Sequence, residues 1–298
     1  MMDQAKNLRE LVRNAPVRAP VASAPRPPLS ACRSIAVTSG KGGVGKTNTA
    51  LALGMALAAL KKKVLILDAD LGLANIHLLI GIAPRYNLGH LIEGRCGINE
   101  VVCRVNDGMD VLPGASGFEA LANLEQVRME ALKRQLQEVE SSYDYLLIDT
   151  GAGIGRITTG FARSADSVIM VMTPEPTSLA DAYAMTKVLY EKQAASVSVL
   201  VNMASSDREG RETFDKLNAL VIQFLKRPLE LLEIVPFDAE VPRLVKRQKA
   251  VMGEAPRRPF SLRMQSAARR LCGMRPANGS DGFFARLFRP VRGPGRGA

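Results

Sequence analysis

Seven short apolar runs are spaced along the chain: SIAVTS (34–39), KVLILD (63–68), MDVLP (109–113), YLLID (145–149), SVIMVMT (167–173), VSVLVNM (197–203) and LELLEIVPF (229–237). Each has the length of a strand and is nearly unbroken in hydrophobicity, as a parallel sheet buried on both faces demands. Segments of helical character lie between them, chiefly 46–60, 118–140, 178–192 and 209–225. This alternation predicts an α/β fold with a doubly wound, mostly parallel sheet, which binds ligands at the carboxyl ends of its strands. With 298 residues, 47% of them hydrophobic, the chain can bury the core of one large α/β domain or two small ones.

The cysteines Cys32, Cys96, Cys103 and Cys272 form no CxxC pair and have no histidine-rich surroundings. That fits a reducing cytoplasm and argues against a structural metal or a disulfide framework. No apolar run approaches the length of a transmembrane span and no signal peptide opens the chain, so a soluble protein is expected. The formal net charge of +11 is unevenly placed: +4 over residues 1–33, −5 over 34–242 and +12 over 243–298. Basicity therefore belongs to the two ends, where it can meet anionic lipid, nucleic acid or an acidic protein. The expected division is a flexible arm with a proline-rich spacer (1–33), an α/β domain (34–274) and a basic tail (275–298).

Between the first strand and an Ala/Leu-rich helix stands Gly40-Lys41-Gly42-Gly43-Val44-Gly45-Lys46-Thr47, followed by Asn48. This is the GxxxxGK[ST] pattern. Its glycines let backbone N–H groups wrap phosphates, and the helix start adds its dipole. Lys46 reaches the β/γ-phosphates and Thr47 ligates Mg²⁺. The expected cofactors are ATP and Mg²⁺. Two further strand ends carry carboxylates, Asp68 and Asp70 after the second apolar run and Asp149 after the run YLLID. Paired aspartates also serve as helix caps and turn formers.

The form KGGVGKT, with its additional lysine, resembles the deviant Walker A motif of the MinD/ParA class of P-loop ATPases, which has the SIMIBI-type architecture. The resemblance implies that Lys41 acts across an ATP-sandwich homodimer on the partner's nucleotide, supplying charge where the transferring phosphoryl group becomes negative. LILDADLGLANIHLLIG (65–81) resembles the switch I segment, implying that Asp70 orients water and that Asp68 supports the Mg²⁺ shell. DYLLIDTGAGIG (144–155) resembles Walker B and switch II, implying that Asp149 serves the magnesium. Gly151 stands where cell-division members typically have proline. Asn202 resembles the asparagine that reads the base, although a strand-end turn residue is the other reading. Pro236 and Asp238 resemble the loop that closes over the base.

The ends narrow the resemblance. Asp3-Gln4-Ala5-Lys6-Asn7-Leu8-Arg9 resembles the DQAxxLR element of the FlhG (also called FleN) family, MinD-like regulators of flagellar number and placement. This implies that Asp3, Gln4, Ala5, Leu8 and Arg9 engage an FlhF-type GTPase, with Gln4 helping to order its catalytic water. A generic capped amphipathic helix is the alternative. Flagellar transcription activators and switch-complex proteins are further candidate partners.

At the other end, SDGFFARLFRPVRG (280–293) can make about two helical turns, with Phe283, Phe284, Leu287 and Phe288 on one face. Arg286 and Arg289 can reach lipid headgroups. This stretch resembles the membrane-targeting helix of MinD-like proteins and implies reversible attachment to an anionic membrane surface from the cytoplasm. A tail folded back onto its own domain is the alternative, and the family can use both states. A cell-division MinD homologue and a ParA-type DNA-partitioning ATPase remain as rival functions. The aromatic tail speaks against nucleic-acid binding, which needs cations rather than phenylalanines.

Overall fold

The computed structural model describes residues 32–70, 76–114, 126–191, 196–274 and 281–289. The arm residues Asp3, Gln4, Ala5, Leu8 and Arg9 lie outside them. The described elements begin with β1 (Arg33–Ser39), α1 (Lys46–Ala59), β2 (Val64–Ala69), α2 (Ile76–Ile80), α3 (Leu88–Ile92) and α4 (Ile98–Val101). Next come β3 (Cys103–Asn106), β4 (Met109–Leu112), α5 (Gln126–Glu140), β5 (Tyr145–Ala152), α6 (Arg156–Ser164) and β6 (Ser167–Met172). Then follow α7 (Pro176–Glu191), β7 (Ser196–Ala204), α8 (Asp207–Leu225) and β8 (Glu230–Pro236). The remainder is α9 (Glu240–Lys246), α10 (Val251–Glu254), α11 (Pro259–Gly273) and α12 (Phe283–Leu287).

The strands form one sheet in the order β3-β4-β2-β5-β1-β6-β7-β8. All pairings are parallel except that of β3 with β4. The fold is thus the expected doubly wound α/β sheet, with one antiparallel edge strand added. That strand, CRVN, is too short and too polar to stand out in the sequence.

Successive residues of each strand point to opposite faces, and both faces are covered. Ile35 and Val37 of β1 join one apolar cluster with residues of α1 and α11, while Ala36 joins the other. The second cluster is completed by residues of α5, α6, α7 and α8. An unbroken apolar run is therefore two interleaved alternations, each facing its own layer of helices.

Helix α11 was not anticipated. Its inward residues, Phe260, Met264, Ala267, Ala268 and Leu271, recur at helical spacing and are buried. The basic residues between them made the segment read as part of a charged end. Arg33, at the start of β1, donates to the carbonyls of Leu271 (2.6 Å) and Met274 (3.1 Å), satisfying the end of this helix.

The tail residues differ most from expectation. Phe283 and Phe284 are completely buried rather than presented as a free apolar face. They pack against α5 and α6, with Phe283 stacked on Phe161 at 6.3 Å between ring centroids. Arg286 points into the protein, while Leu287 and Phe288 are partly buried beside the same cluster. Fully burying a phenylalanine is worth about 1.5–3 kcal/mol, which explains why this segment covers the groove. Among the described residues, no helix is long and apolar enough to cross a membrane.

Met264→Ala removes a fully buried side chain from α11. It is expected to lower unfolding stability by about 2–5 kcal/mol in urea denaturation of the full chain. A loss below about 1 kcal/mol would show that α11 is not part of the core.

Candidate functional site

The loop between β1 and α1 wraps the carboxyl end of the central strand. Gly45 adopts φ 86°, a left-handed conformation, and a Cβ there would lie 2.4 Å from the Asn202 amide nitrogen. Only glycine satisfies both conditions. Asn202, buried at the end of β7, donates from Nδ2 to the Val44 carbonyl at 2.8 Å. Gly40 backs onto the main chain of Asp181 in α7. The loop is held from both sides before any ligand arrives.

Beside it, β2 and β5 deliver two carboxylates in register, since Asp68 pairs with Asp149 across the parallel ladder. Both are almost fully buried. Lys46 Nζ lies 3.2 Å from Asp149 Oδ1, and the Thr47 side chain also hydrogen-bonds this carboxylate. Burial nevertheless raises the Asp149 pKa against those two partners. Asp68 accepts from the backbone N–H groups of Asp70 (3.4 Å) and Ile76 (3.2 Å). Burial, then repulsion from Asp149, pushes its pKa up to about 7.

Two adjacent carboxylates with one lysine beside Asp149 leave a deficit of positive charge. Asp149 Oδ2 is also buried without a hydrogen-bond partner among the described residues. This oxygen-rich, under-compensated pair fits Mg²⁺, a hard cation that keeps several waters. Thr47, Asp68 and Asp149 would hold it, directly or through those waters. When bound it would neutralise charge on the phosphate oxygens.

These elements border a cavity of about 770 Å³. Of the residues anticipated from sequence, its walls contain Gly42, Gly43, Gly45, Lys46, Thr47, Asn48, Asp70, Asn202, Pro236 and Asp238. Val44, Asp68 and Asp149 are buried and are not in the cavity wall, but Asp149 reaches it through its contact with Lys46. Asp70 lies on the switch II side, with its Oδ1 3.7 Å from where a Gly151 Cβ would be. The arrangement can cradle a polyphosphate over α1 and place a carboxylate beside the attacking water.

Three details were not legible. Asp238, in the cavity wall, is also gripped by Arg258, which donates to its carboxylate through Nε (3.2 Å) and Nη2 (2.5 Å). That pairing holds the Asp238 pKa below the usual carboxylate range, and its main effect is to fix the loop after β8. Arg258 is twenty residues away in sequence and carries no motif. Met203, Phe237, Val241 and Phe260 supply apolar lining to the same cavity. Lys41 does not line the cavity: its Nζ rests on Glu175 Oε2 (2.5 Å) and Thr177 Oγ1 (3.0 Å) at the start of α7.

Arg258→Ala should loosen the base-side wall without touching the phosphate end. The expected result is a KM for ATP raised about fivefold, with kcat changed less than about twofold, the signature of lost uniform binding. Lys46→Ala should instead remove detectable nucleotide binding by titration calorimetry. Retained binding there would displace Lys46 from its assigned place.

The family model described as an AAA domain matches residues 32–200. The chain is 40% identical over 238 residues to the antiactivator FleN of Pseudomonas aeruginosa, covering 80% of this chain and 85% of that protein. It is 34% identical over 265 residues to the flagellum site-determining protein YlxH of Helicobacter pylori, covering 86% and 89%. A chain of the MinC:MinD cell division protein complex of Aquifex aeolicus superposes with a TM-score of 0.66 at 28% identity, covering 82% of this chain and 97% of that one. The phosphate loop, the buried carboxylate pair and these similarities have one reading: the chain belongs to the FlhG/FleN family of MinD/ParA-class P-loop ATPases.

Proposed function

We propose that this ATPase is a dimerisation switch that controls flagellar number and placement, moving between the cytoplasm and the cytoplasmic face of the membrane. The observation that carries the reading is the position of Lys41. A lysine that belongs to the loop sequence, yet rests outside the cavity on Glu175, is available to a nucleotide other than its own. In an ATP-bound pair each Lys41 would exchange Glu175 for the partner's phosphates. There it would stabilise charge developing in phosphoryl transfer. Asp70 would orient the attacking water, and Lys46 would hold the β/γ-phosphates.

The stowed tail supports the second half of the cycle. Phe283 and Phe284 are buried in the core, and a lipid interface would bury the same apolar surface. The exchange is therefore close to balanced, and a modest change at the nucleotide can tip it. Two tails in one dimer would bind far more strongly than one, through effective concentration. The names of the relatives support the flagellar setting: an antiactivator is consistent with a transcription activator as partner, and a site-determining protein with placement. The DQAxxLR arm supports stimulation of an FlhF-type GTPase, with switch-complex proteins as further partners.

Lys41→Ala is expected to abolish ATP-dependent dimers in analytical ultracentrifugation, and Asp70→Ala to trap them by stopping hydrolysis. Dimers of Lys41→Ala equal to those of the parent would refute the trans role. Sedimentation with anionic liposomes should recover the protein with ATP and leave it in solution with ADP. A peptide of residues 1–20 should accelerate GTP hydrolysis by an FlhF-type GTPase, and Gln4→Ala should remove that effect.

A further inference from the structure

Two cavities meet at the carboxyl end of β7. One is the nucleotide cavity of about 770 Å³, and the other, of about 480 Å³, is bordered by Thr173, Glu175, Ser205 and Glu209. Met203 and Phe237 line both. The walls beyond this shared pair differ in character. On the nucleotide side stand Val241, Val245 and Phe260, whereas on the other side two carboxylates stand among hydroxyls. Glu209 is fixed there by accepting from the Ser205 N–H (2.6 Å) and hydroxyl (2.7 Å).

Met203 reaches its place through an irregular backbone. Val201 pairs with Ile234 and Ala204 with Pro236, so β7 carries one residue more than β8 between these pairs. A bulge of this kind re-aims a side chain beside a site. Met203, within it, has φ 58°, in the left-handed region that a long side chain rarely adopts. Its neighbours hold it there. Asn202 is tied to the Val44 carbonyl at 2.8 Å, and the Phe237 N–H donates to the Ala204 carbonyl at 2.9 Å. The Met203 Cε lies over the phosphate loop, 3.5 Å from where a Cβ on Gly45 would stand. Strain observed beside a ligand cavity points to a task for the side chain that bears it.

We propose that Met203 is a specificity-determining residue, the partition that closes the base end of the nucleotide cavity and excludes purines with a bulky substituent on the exocyclic amine. Asn202 sets the orientation of the base. Its Nδ2 is engaged by Val44, so the atom it offers a ligand is Oδ1, which can only accept. The edge of adenine that answers an acceptor carries the exocyclic amine. That edge therefore faces Asn202, and a substituent on the amine is directed at the next residue, Met203. With the thioether in place the substituent collides with it. Without the thioether the substituent enters the second cavity along the exposed Phe237 ring. A built-in clash of this kind gives selectivity with no added attraction. The inference rests on nucleotide binding in this cavity and not on the dimer or the membrane cycle.

The test is calorimetry of the full chain with Mg²⁺ and either ADP or N6-benzyl-ADP, a pair that avoids hydrolysis and ATP-dependent pairing. The parent should bind the benzyl analogue about tenfold or more weakly than ADP. Met203→Ala should bring the two affinities within about threefold of each other, whatever its effect on ADP itself. Met203→Gly should do the same, and because glycine accepts the left-handed backbone it keeps the test decisive if alanine disturbs folding. A parent that takes the analogue as well as ADP would overturn the partition. Variants that bind ADP and still reject the analogue as the parent does would overturn it too. A parent that binds neither diphosphate would instead remove the nucleotide site on which the inference rests.

Discussion

The placement of Asp68 and Asp149 side by side, almost without solvent, is the constraint around which the site is organised. Parallel pairing of β2 with β5 forces the two carboxylates into register, and neighbouring like charges in a low-dielectric interior repel. Lys46 compensates one of them by reaching across from the phosphate loop. Burial of this triad leaves it short of positive charge, which a divalent cation with its waters would supply.

The other working parts are arranged as ties to that centre. Asn202 links the phosphate loop to the end of β7, beside the apolar wall formed by Met203 and Phe237. Arg258 draws the start of α11 onto the loop after β8 through Asp238. Glu175 holds Lys41 clear of the cavity, and Glu140 with Arg286 holds the tail. Each tie is a short polar contact between segments far apart in sequence. The sheet itself is stabilised by apolar packing on its two faces.

This division explains what could be read in advance. Strands β1, β2 and β5 and helix α1 were visible because local sequence and tertiary role agree: continuous apolar runs for doubly covered strands, glycines where the loop turns, a lysine and a threonine at the helix start. The carboxylates could be assigned because they sit at strand ends beside that loop. Helix α11 was missed because its apolar stripe is diluted by arginines, one of which, Arg270, satisfies the Leu232 carbonyl rather than facing solvent alone. Arg258 and Glu175 were missed because a salt bridge between distant residues has no local pattern.

The sequence alone determined the class of fold, the phosphate loop with its two lysines, and the strand-end carboxylates beside it, since each follows from spacing within one segment. The placement of the tail and of Lys41 was decided only in three dimensions. FFARLF reads equally well as a helix for a membrane or for a core, because both environments reward the burial of the same aromatic face. In this structure the segment lies in a groove between α5 and α6, with a buried carboxylate for the first two N–H groups and a junction that fits one guanidinium. Lys41, likewise, is fixed in sequence but directed by Glu175, a partner 134 residues away that no local rule could have named.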